Sequence, residues 1–446
     1  MGPELRPHKK SDQIDRLRDF LFKGLASAIS RDPLQPMEEF VLDTEGQARL
    51  VHYFDRIGVA LGSEARRASY ALYAMGLLGD GERKSMEPIA ARVCPDPEKV
   101  DATHQRIQHF ITDSKWSDAE VRREAACYGL MALSTTGPVT HWIIDDTGLL
   151  KCGNHSVGVN RQYTGSAGKI TNCQIAVSLT VATPREHLPI DVELYLPRKW
   201  LSEPLRRKEA RIPDEIEFRT KLELALEMID RALEDGVQPG MVSVDAAYGN
   251  SSRFRRQLRN RNLLYAVAVN CTTKVWQLDS REHRRGGKTL SVAEYATKIA
   301  DRGGFRRTTW REGSNGRLSS RFAARRVLPI ADEGVKRAER EVVWLLMEWE
   351  DGQPTANKFH FITAPVHATK KQLVRAVKQQ WRTEHVYRTL KGQLGFDHFE
   401  GRRFPGWHHH MSVALSCYAF IVAERARHFS PEERAAYRHD THIFAA

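Results

Sequence analysis

Two short apolar runs, separated by about a hundred residues, each lead into a carboxylate. His141-Trp142-Ile143-Ile144 runs into Asp145-Asp146, and Met241-Val242-Ser243-Val244 runs into Asp245. Short continuous apolar runs read as buried strands rather than helices. Between and after them the pattern alternates. Ser156 to Tyr163 and Asn172 to Ala182 read as further strands, with Gly153, Gly158, Gly165 and Gly168 marking turns, so three strands in a meander are expected. Glu215 to Asp235 reads as an amphipathic helix, with Ile216, Leu222, Leu226, Ile229 and Leu233 on one side. Ser251 to Asn260 is a very basic helix, and Leu263 to Val269 another strand. Strands interleaved with helices in this way fold as an α/β domain.

Three strands, a helix, a strand, a helix and a strand is the order of a ribonuclease-H-like catalytic core. Ahead of it, apolar residues recur at helical spacing from Glu38 to Leu133, and Ser117 stands three residues before Glu120 as an N-terminal cap. Asp101 or Thr103 is expected to cap the preceding helix. After the core, Gly286-Gly287, Gly303-Gly304 and many arginines break the order, and Glu341 to Glu350 and Lys358 to Ala364 read as strands within an insertion. Thr369 to Leu394 reads as one long helix capped by Thr369, and Trp407 to Ala426 as a buried helix. The expected organisation is an N-terminal extension (1–37), an all-helical DNA-binding domain (38–135), the first part of the core (136–271), a mostly β insertion (272–364), a helical second part of the core (365–428) and a tail (429–446).

The chain has 446 residues and a formal net charge of +12, from 68 Lys and Arg against 56 Asp and Glu. Such an excess points to a polyanionic partner, nucleic acid first. Six scattered cysteines form no CxxC pair, which argues against a disulfide scaffold or zinc ribbon and for a reducing cytoplasm. The N-terminal MGPELRPHKKSD lacks the apolar segment of a signal peptide, and Met411 to Ala423 is too short to cross a bilayer, so no membrane partner is expected. Two tempting patterns carry little weight. Gly165-Ser166-Ala167-Gly168-Lys169 lacks the first Gly and the final Ser or Thr of a phosphate loop. His408-His409-His410 fans around a helix axis, so the three cannot share one ion.

The spaced acids carry the chemistry. Neighbouring strands that end together bring their terminal carboxylates side by side. Two or three carboxylates of this kind hold a pair of Mg²⁺ (or Mn²⁺) ions for phosphodiester cleavage. The alternative is that strand-end aspartates are ordinary caps. Asp145 and Asp146 are adjacent and point to opposite faces of a strand, so one of them faces the metals. Asp145 is preferred, with Asp146 and Thr147 in support.

The motifs then become specific. Ile143-Ile144-Asp145-Asp146-Thr147-Gly148, His155-Ser156-Val157-Gly158-Val159, Arg161-Gln162-Tyr163 and Lys169 with Asn172-Cys173-Gln174 closely resemble bacterial insertion-sequence transposases. The branch is the insertion sequence seven-oh-one family, a relative of the IS four group within the DDE superfamily. Glu82-Arg83-Lys84-Ser85, Leu194-Tyr195-Leu196-Pro197, Asp245-Ala246-Ala247-Tyr248-Gly249, Lys391 with Leu394-Gly395, and Gly406-Trp407-His408 also match. The resemblance implies a ribonuclease-H-like fold and a catalytic, metal-holding triad of Asp145 (or Asp146), Asp245 and Glu384. It also implies cutting and joining of double-stranded DNA, at transposon ends and target, by a homodimer on the bacterial nucleoid, with no small-molecule substrate. The related group carries a Tyr-Arg-Glu-Lys signature. Here Glu384 and Lys391 keep its second half, two helical turns apart, while the Tyr and Arg positions read Val377 and Gln380. Arg388, one turn after Glu384, is a candidate phosphate contact or a plain ion-pair partner of Glu384.

Tyr248, Arg388 and Lys391 therefore join Asp146 and Thr147 as supporting residues. DNA contacts are expected from Arg161 and Lys169 in the matched blocks and from Arg253, Arg255 and Arg256 on the basic helix. Between Asp301 and Val327 eight arginines face one Asp and one Glu, interleaved with aromatics. Arg306, Arg307, Trp276 and Trp310 are the candidates there, the tryptophans for stacking on a flipped base. A transposase-derived regulator without activity and a nuclease that never transfers strands are the two other readings.

Overall fold

A computed structural model describes residues 44–279, 288–313, 316–330 and 341–427. The N-terminal extension, the start of the first expected helix, Gly286-Gly287 and the tail lie outside the described residues. In chain order the elements are α1 (Thr44–Leu61), α2 (Glu64–Leu78), α3 (Met86–Val93), α4 (Val100–Thr112), α5 (Asp118–Leu133), β1 (His141–Leu150), β2 (Asn160–Thr164), β3 (Lys169–Ala182), β4 (His187–Tyr195), α6 (Arg198–Ser202), α7 (Pro204–Glu209) and α8 (Lys221–Glu234). There follow β5 (Met241–Val244), α9 (Ala246–Gly249), α10 (Ser252–Asn260), β6 (Tyr265–Val269), β7 (Lys274–Gln277), β8 (Leu290–Ser291), α11 (Val292–Ala300), β9 (Arg306–Gly313), β10 (Gly316–Pro329), β11 (Val343–Trp349) and β12 (Lys358–Ile362). Three helices, α12 (Lys370–Val377), α13 (Trp381–Leu394) and α14 (Phe404–Arg427), complete the described chain. The expected α/β class is borne out.

The chain divides into two units. Among the described residues one comprises 44–137, 146–224 and 384–427, the other 138–145 and those within 225–383. In the first unit α14 is the centre, buried from Gly406 to Ala426. Its apolar residues are wrapped by α1, α2, α4, α5 and β4, and several of its polar groups find partners there. Tyr53 and Tyr70 bond Ser416, and Tyr73 bonds His410 Nδ1 at 2.8 Å. Glu424, fully buried, accepts from Arg49, and Arg425 pairs with Glu186 at 2.8 Å. No described helix is long and apolar enough to cross a membrane.

The strands of this unit differ from a simple meander. β2 and β3 form a hairpin, Asn160 opposite Cys173 through Thr164 opposite Lys169. β3 then pairs antiparallel with β4 from Ile175 to Ala182, a strand the sequence pattern did not separate. The phosphate-loop lookalike is the tip of that hairpin. The strand expected from Ser156 begins instead at Asn160, because Ser156 to Val159 form a turn with Gly158 at φ 77°.

In the second unit the strand order is β1-β5-β6-β12-β11-β10-β7-β8, with β9 on β10. β1, β5 and β6 run parallel, and β12 joins β6 antiparallel. Phe322, Leu346, Ile362, Leu373 and Val374 form its buried cluster. α8 begins at Lys221 rather than Glu215, because Thr220 caps it and Glu223 bonds back to the Thr220 backbone at 2.9 Å. The start of α4 is set upstream of Asp101, where Asp96 caps a short 3-10 turn that feeds into it. The expected long helix from Thr369 is two. Thr369 caps α12 as expected, but Lys378 leaves helical geometry (φ −88°, ψ 38°), and a new helix starts at Trp381. Lys378 is drawn aside: its Nζ bonds both oxygens of buried Glu348 at 2.7 Å and sits 4.3 Å from the Trp310 ring centre.

Candidate active site

β1 and β5 lie side by side in register, His141 with Met241, Trp142 with Val242 and Ile143 with Ser243. The ladder ends at Ile143 and Ser243; Asp145 stands two residues further along β1, and Asp245 is the first residue past the end of β5. Gly240 permits the approach, since a Cβ there would stand 2.8 Å from the His141 backbone. The Trp142 indole locks the strand start by donating to Gln238 O at 3.1 Å. His141 is fully buried and pushed down to about 3 by burial, so it is neutral there.

Asp245 ends its strand as expected and doubles as a cap. Its Oδ1 accepts from the Ala247 and Tyr248 amides at 2.9 and 3.3 Å, which fixes the carboxylate while leaving the residue exposed. Tyr248 is buried and packs edge-on against Phe254 at 6.1 Å. Asp145 is not at a strand end. β1 continues to Leu150 because Thr147, Gly148 and Leu149 stay buried. Gly148 is required: a Cβ there would come within 2.0 Å of the Thr164 hydroxyl.

In the first unit Asp146 pairs with Lys221, Oδ2 to Nζ at 2.9 Å, both largely shielded. Thr147 is buried and meets Ser166 Oγ at 3.3 Å. Glu384 lies in the first turn of α13, exposed, with Arg388 exposed one turn on. No ion pair between these two exists among the described residues, so the plain surface-pair reading is not realised. Lys391 is engaged in structure: its Nζ donates to Gly148 O at 2.8 Å and Ser166 Oγ at 3.1 Å, and burial lowers its ammonium.

The DNA candidates separate by exposure. Arg161, Lys169 and Arg253 are exposed, and Arg256 is half-buried. Arg255 is a correction. It is 6% exposed, donates to Gly249 O at 2.5 Å and stacks 5.3 Å over Phe361, so it braces α10 from within. Trp276 is half-buried on β7. Trp310 is committed to packing, edge-on to Phe322 at 5.7 Å and beneath Lys378. Arg307 is held by both oxygens of Asp351, and Arg306 bonds Phe305 O at 2.9 Å.

His408, His409 and His410 are buried separately, as expected. His409 bonds the Ile111 and Trp116 carbonyls, His410 bonds Tyr73 and Gly395 O, and burial depresses all three. Among the described residues no group of three or more His, Cys, Asp or Glu is placed to hold a metal ion. Carboxylate oxygens, the donors that Asp145 and Asp245 offer, suit a hard divalent cation rather than zinc. Lys221, the partner of Asp146, was not anticipated; it lies 75 positions away and shows no pattern in the sequence.

Residues 57–317 match the family described as DDE superfamily endonuclease. The chain belongs to that superfamily. Residues 219–420 of this DDE-superfamily chain also match the transposase DDE domain, a stretch that includes Asp245 and Glu384. The chain is similar to the probable transposase for insertion sequence element IS701 of Microchaete diplosiphon, 30% identical over 210 residues. That alignment covers 47% of the chain and 50% of the relative, so the chain spans about half the length of the curated relative it matches. The resemblance to insertion-sequence transposases of this type, read from the motifs around Asp145, is borne out.

Proposed function

We propose that the protein is a DDE transposase. It binds transposon-end DNA, hydrolyses a phosphodiester there and joins the freed 3′-hydroxyl to target DNA. The observation that carries this is membership of the DDE superfamily, supported by the parallel pairing of β1, which bears Asp145, with β5, which leads into Asp245. The order of strands, α8, β5, α10 and β6 agrees with a ribonuclease-H-like core. The helices of residues 38–135 serve DNA binding, residues 272–364 are an insertion between the two parts of the core, and two copies work together because both ends must be joined. The protein acts on nucleoid DNA in the cytoplasm.

The family resemblance implies that Asp145, Asp245 and Glu384 would hold two Mg²⁺ or Mn²⁺ ions. When bound, such ions supply activation of the attacking oxygen and stabilisation of the leaving one. The chain's own residues prepare the rest. The Asp245 carboxylate is pre-oriented by two amides, so little reorganisation is needed. Lys221 neutralises Asp146 and keeps one carboxylate of the pair out of the reaction. Arg253 and Arg256, on the helix after Asp245, neutralise flanking phosphates.

The test is cleavage of a labelled duplex that carries the DNA flanking the gene, with and without Mg²⁺. Asp145→Asn, Asp245→Asn and Glu384→Gln should each abolish nicking and strand transfer while duplex binding persists. Undiminished Mg²⁺-dependent nicking by the Asp245 and Glu384 variants refutes the triad. Nicking by the wild type without any joined product would favour the nuclease reading.

A further inference from the structure

Within the first unit a cleft of about 170 Å³ opens between the base of the β2–β3 hairpin and α6–α7. That is far above the ~10–15 Å³ one water needs. Its walls carry Arg161, Lys199 and Arg206, with Asn154, Asn160 and Asn172 between them. Three cations therefore converge on one concavity, against the single carboxylate of Glu203.

The cleft is built, not incidental. The Arg206 guanidinium lies 3.8 Å over the Trp200 ring and donates to Asn154 O at 2.7 Å. Trp200 is 2% exposed, and its indole donates to Val159 O at 2.9 Å. Asn172 is fixed by donating to Lys151 O at 2.9 Å and Gly153 O at 2.7 Å, which leaves its carbonyl oxygen as the remaining polar atom of that side chain. Arg161 faces Asn172 across the hairpin, is exposed and has no carboxylate partner among the described residues. Lys199 and Arg206 both reach Glu203, each at 3.7 Å, so that carboxylate partly holds back two of the three charges.

We propose that this cleft is a phosphate subsite for the backbone of bound DNA, with Arg161 and Lys199 as its contacts and Arg206 as a fixed wall. The proposal rests on the DNA-binding function above and extends it to a site away from the acidic residues. Two positions along the same hairpin face, Tyr163 and Ile170 stand opposite each other, 63% and 61% exposed. Cations beside an exposed aromatic suit a nucleic acid strand, whose sugars and bases follow its phosphates, better than an isolated anion. The hairpin tip is itself held, since Lys391 bonds Ser166.

The full chain is titrated with a labelled duplex of arbitrary sequence over a range of KCl concentrations, reading anisotropy. Arg161→Ala and Lys199→Ala should each lower the slope of log affinity against log salt by about 0.9, the value of one phosphate contact. Glu203→Gln should do the reverse, raising affinity at each salt concentration by releasing Lys199 and Arg206. Lys208→Ala, an exposed charge outside the cleft, is the reference. Slopes for Arg161→Ala and Lys199→Ala that equal the wild type, or a loss no greater than that of Lys208→Ala, overturn the subsite while leaving the DNA-binding function intact. Failure of the wild type to bind any duplex overturns both.

Discussion

Replacing Lys84 by Met should loosen the end of the helix that carries Glu384. Lys84 is 5% exposed, and its ammonium donates to three backbone carbonyls, those of Leu77, Gly79 and Gln393. Leu77 and Gln393 belong to the last turns of α2 and α13, where carbonyls lack intrahelical partners and the helix dipole favours a cation. One side chain thus caps two helices of the first unit. A buried acceptor left without a donor costs about 1–3 kcal/mol, so three of them cost about 6. Met also removes a buried charge. Burial pushes the Lys84 ammonium down to about 8 from 10.5, which returns about 3 kcal/mol. The net loss is about 3 kcal/mol, or about 6–12 °C in melting temperature for a unit of this size. Thermal melts and peptide-resolved hydrogen exchange check it. Exchange should rise at residues 75–79 and 390–396 together, although the two stretches are remote in sequence. Wild-type exchange at 390–396 in Lys84→Met, whatever the melting temperature, refutes the shared cap. Lys84→Arg, which keeps the charge, should lose less.

Two further outcomes follow from the geometry. Arg255→Ala should destabilise the second unit by about 2–4 kcal/mol, whereas Arg253→Ala should leave the melting temperature unchanged and lower the salt slope of DNA binding; equal melting temperatures for the two would contradict the burial difference. Burial alone would raise the Asp118 carboxyl, but Arg122, His408 and a hydrogen bond from Arg122 hold it down at about 2, below its unfolded 3.8. Its contribution, up to about 2 kcal/mol, is present above pH 4 and is lost as pH falls from 4 towards 2. Urea midpoints over that range should therefore fall less steeply for Asp118→Asn than for the wild type, and parallel curves would contradict the pairing.

The sequence made the strand positions legible where the local pattern was one-dimensional. β5, α10, β6, β11, β12 and α14 fall close to where periodicity put them, because each is an unbroken apolar or amphipathic run. The misses have physical reasons. Thr369 to Leu394 carries no Pro and no Gly before Gly392, and nothing local signals a break at Lys378. The break is fixed by a buried carboxylate 30 residues away, Glu348, that captures the lysine. Arg255 and Arg253 are indistinguishable in a run of basic residues. A helix two residues apart turns them to different faces, one inward against Phe361 and one outward. Trp310 read as a stacking residue because aromatics among arginines do so on DNA surfaces, yet Phe322 and Lys378 occupy it. In each case the deciding partner is remote in the chain.

The adjacent acids of β1 differ in the same way, by partners remote in the chain. Side chains alternate along a strand, so Asp145 and Asp146 face opposite ways. Asp145 follows Ile143 by two and therefore shares its face, and Ile143 is level with Ser243, two before Asp245. Asp146 has its charge matched by Lys221 at 2.9 Å in a partly buried pair. To serve as a metal ligand it would have to surrender that partner and leave the lysine uncompensated, a cost of several kcal/mol for a pair of this kind. Asp145 shares the face of Ile143, while the Asp146 carboxylate is held by Lys221. We therefore propose Asp145 for the chemistry and Asp146 for the scaffold.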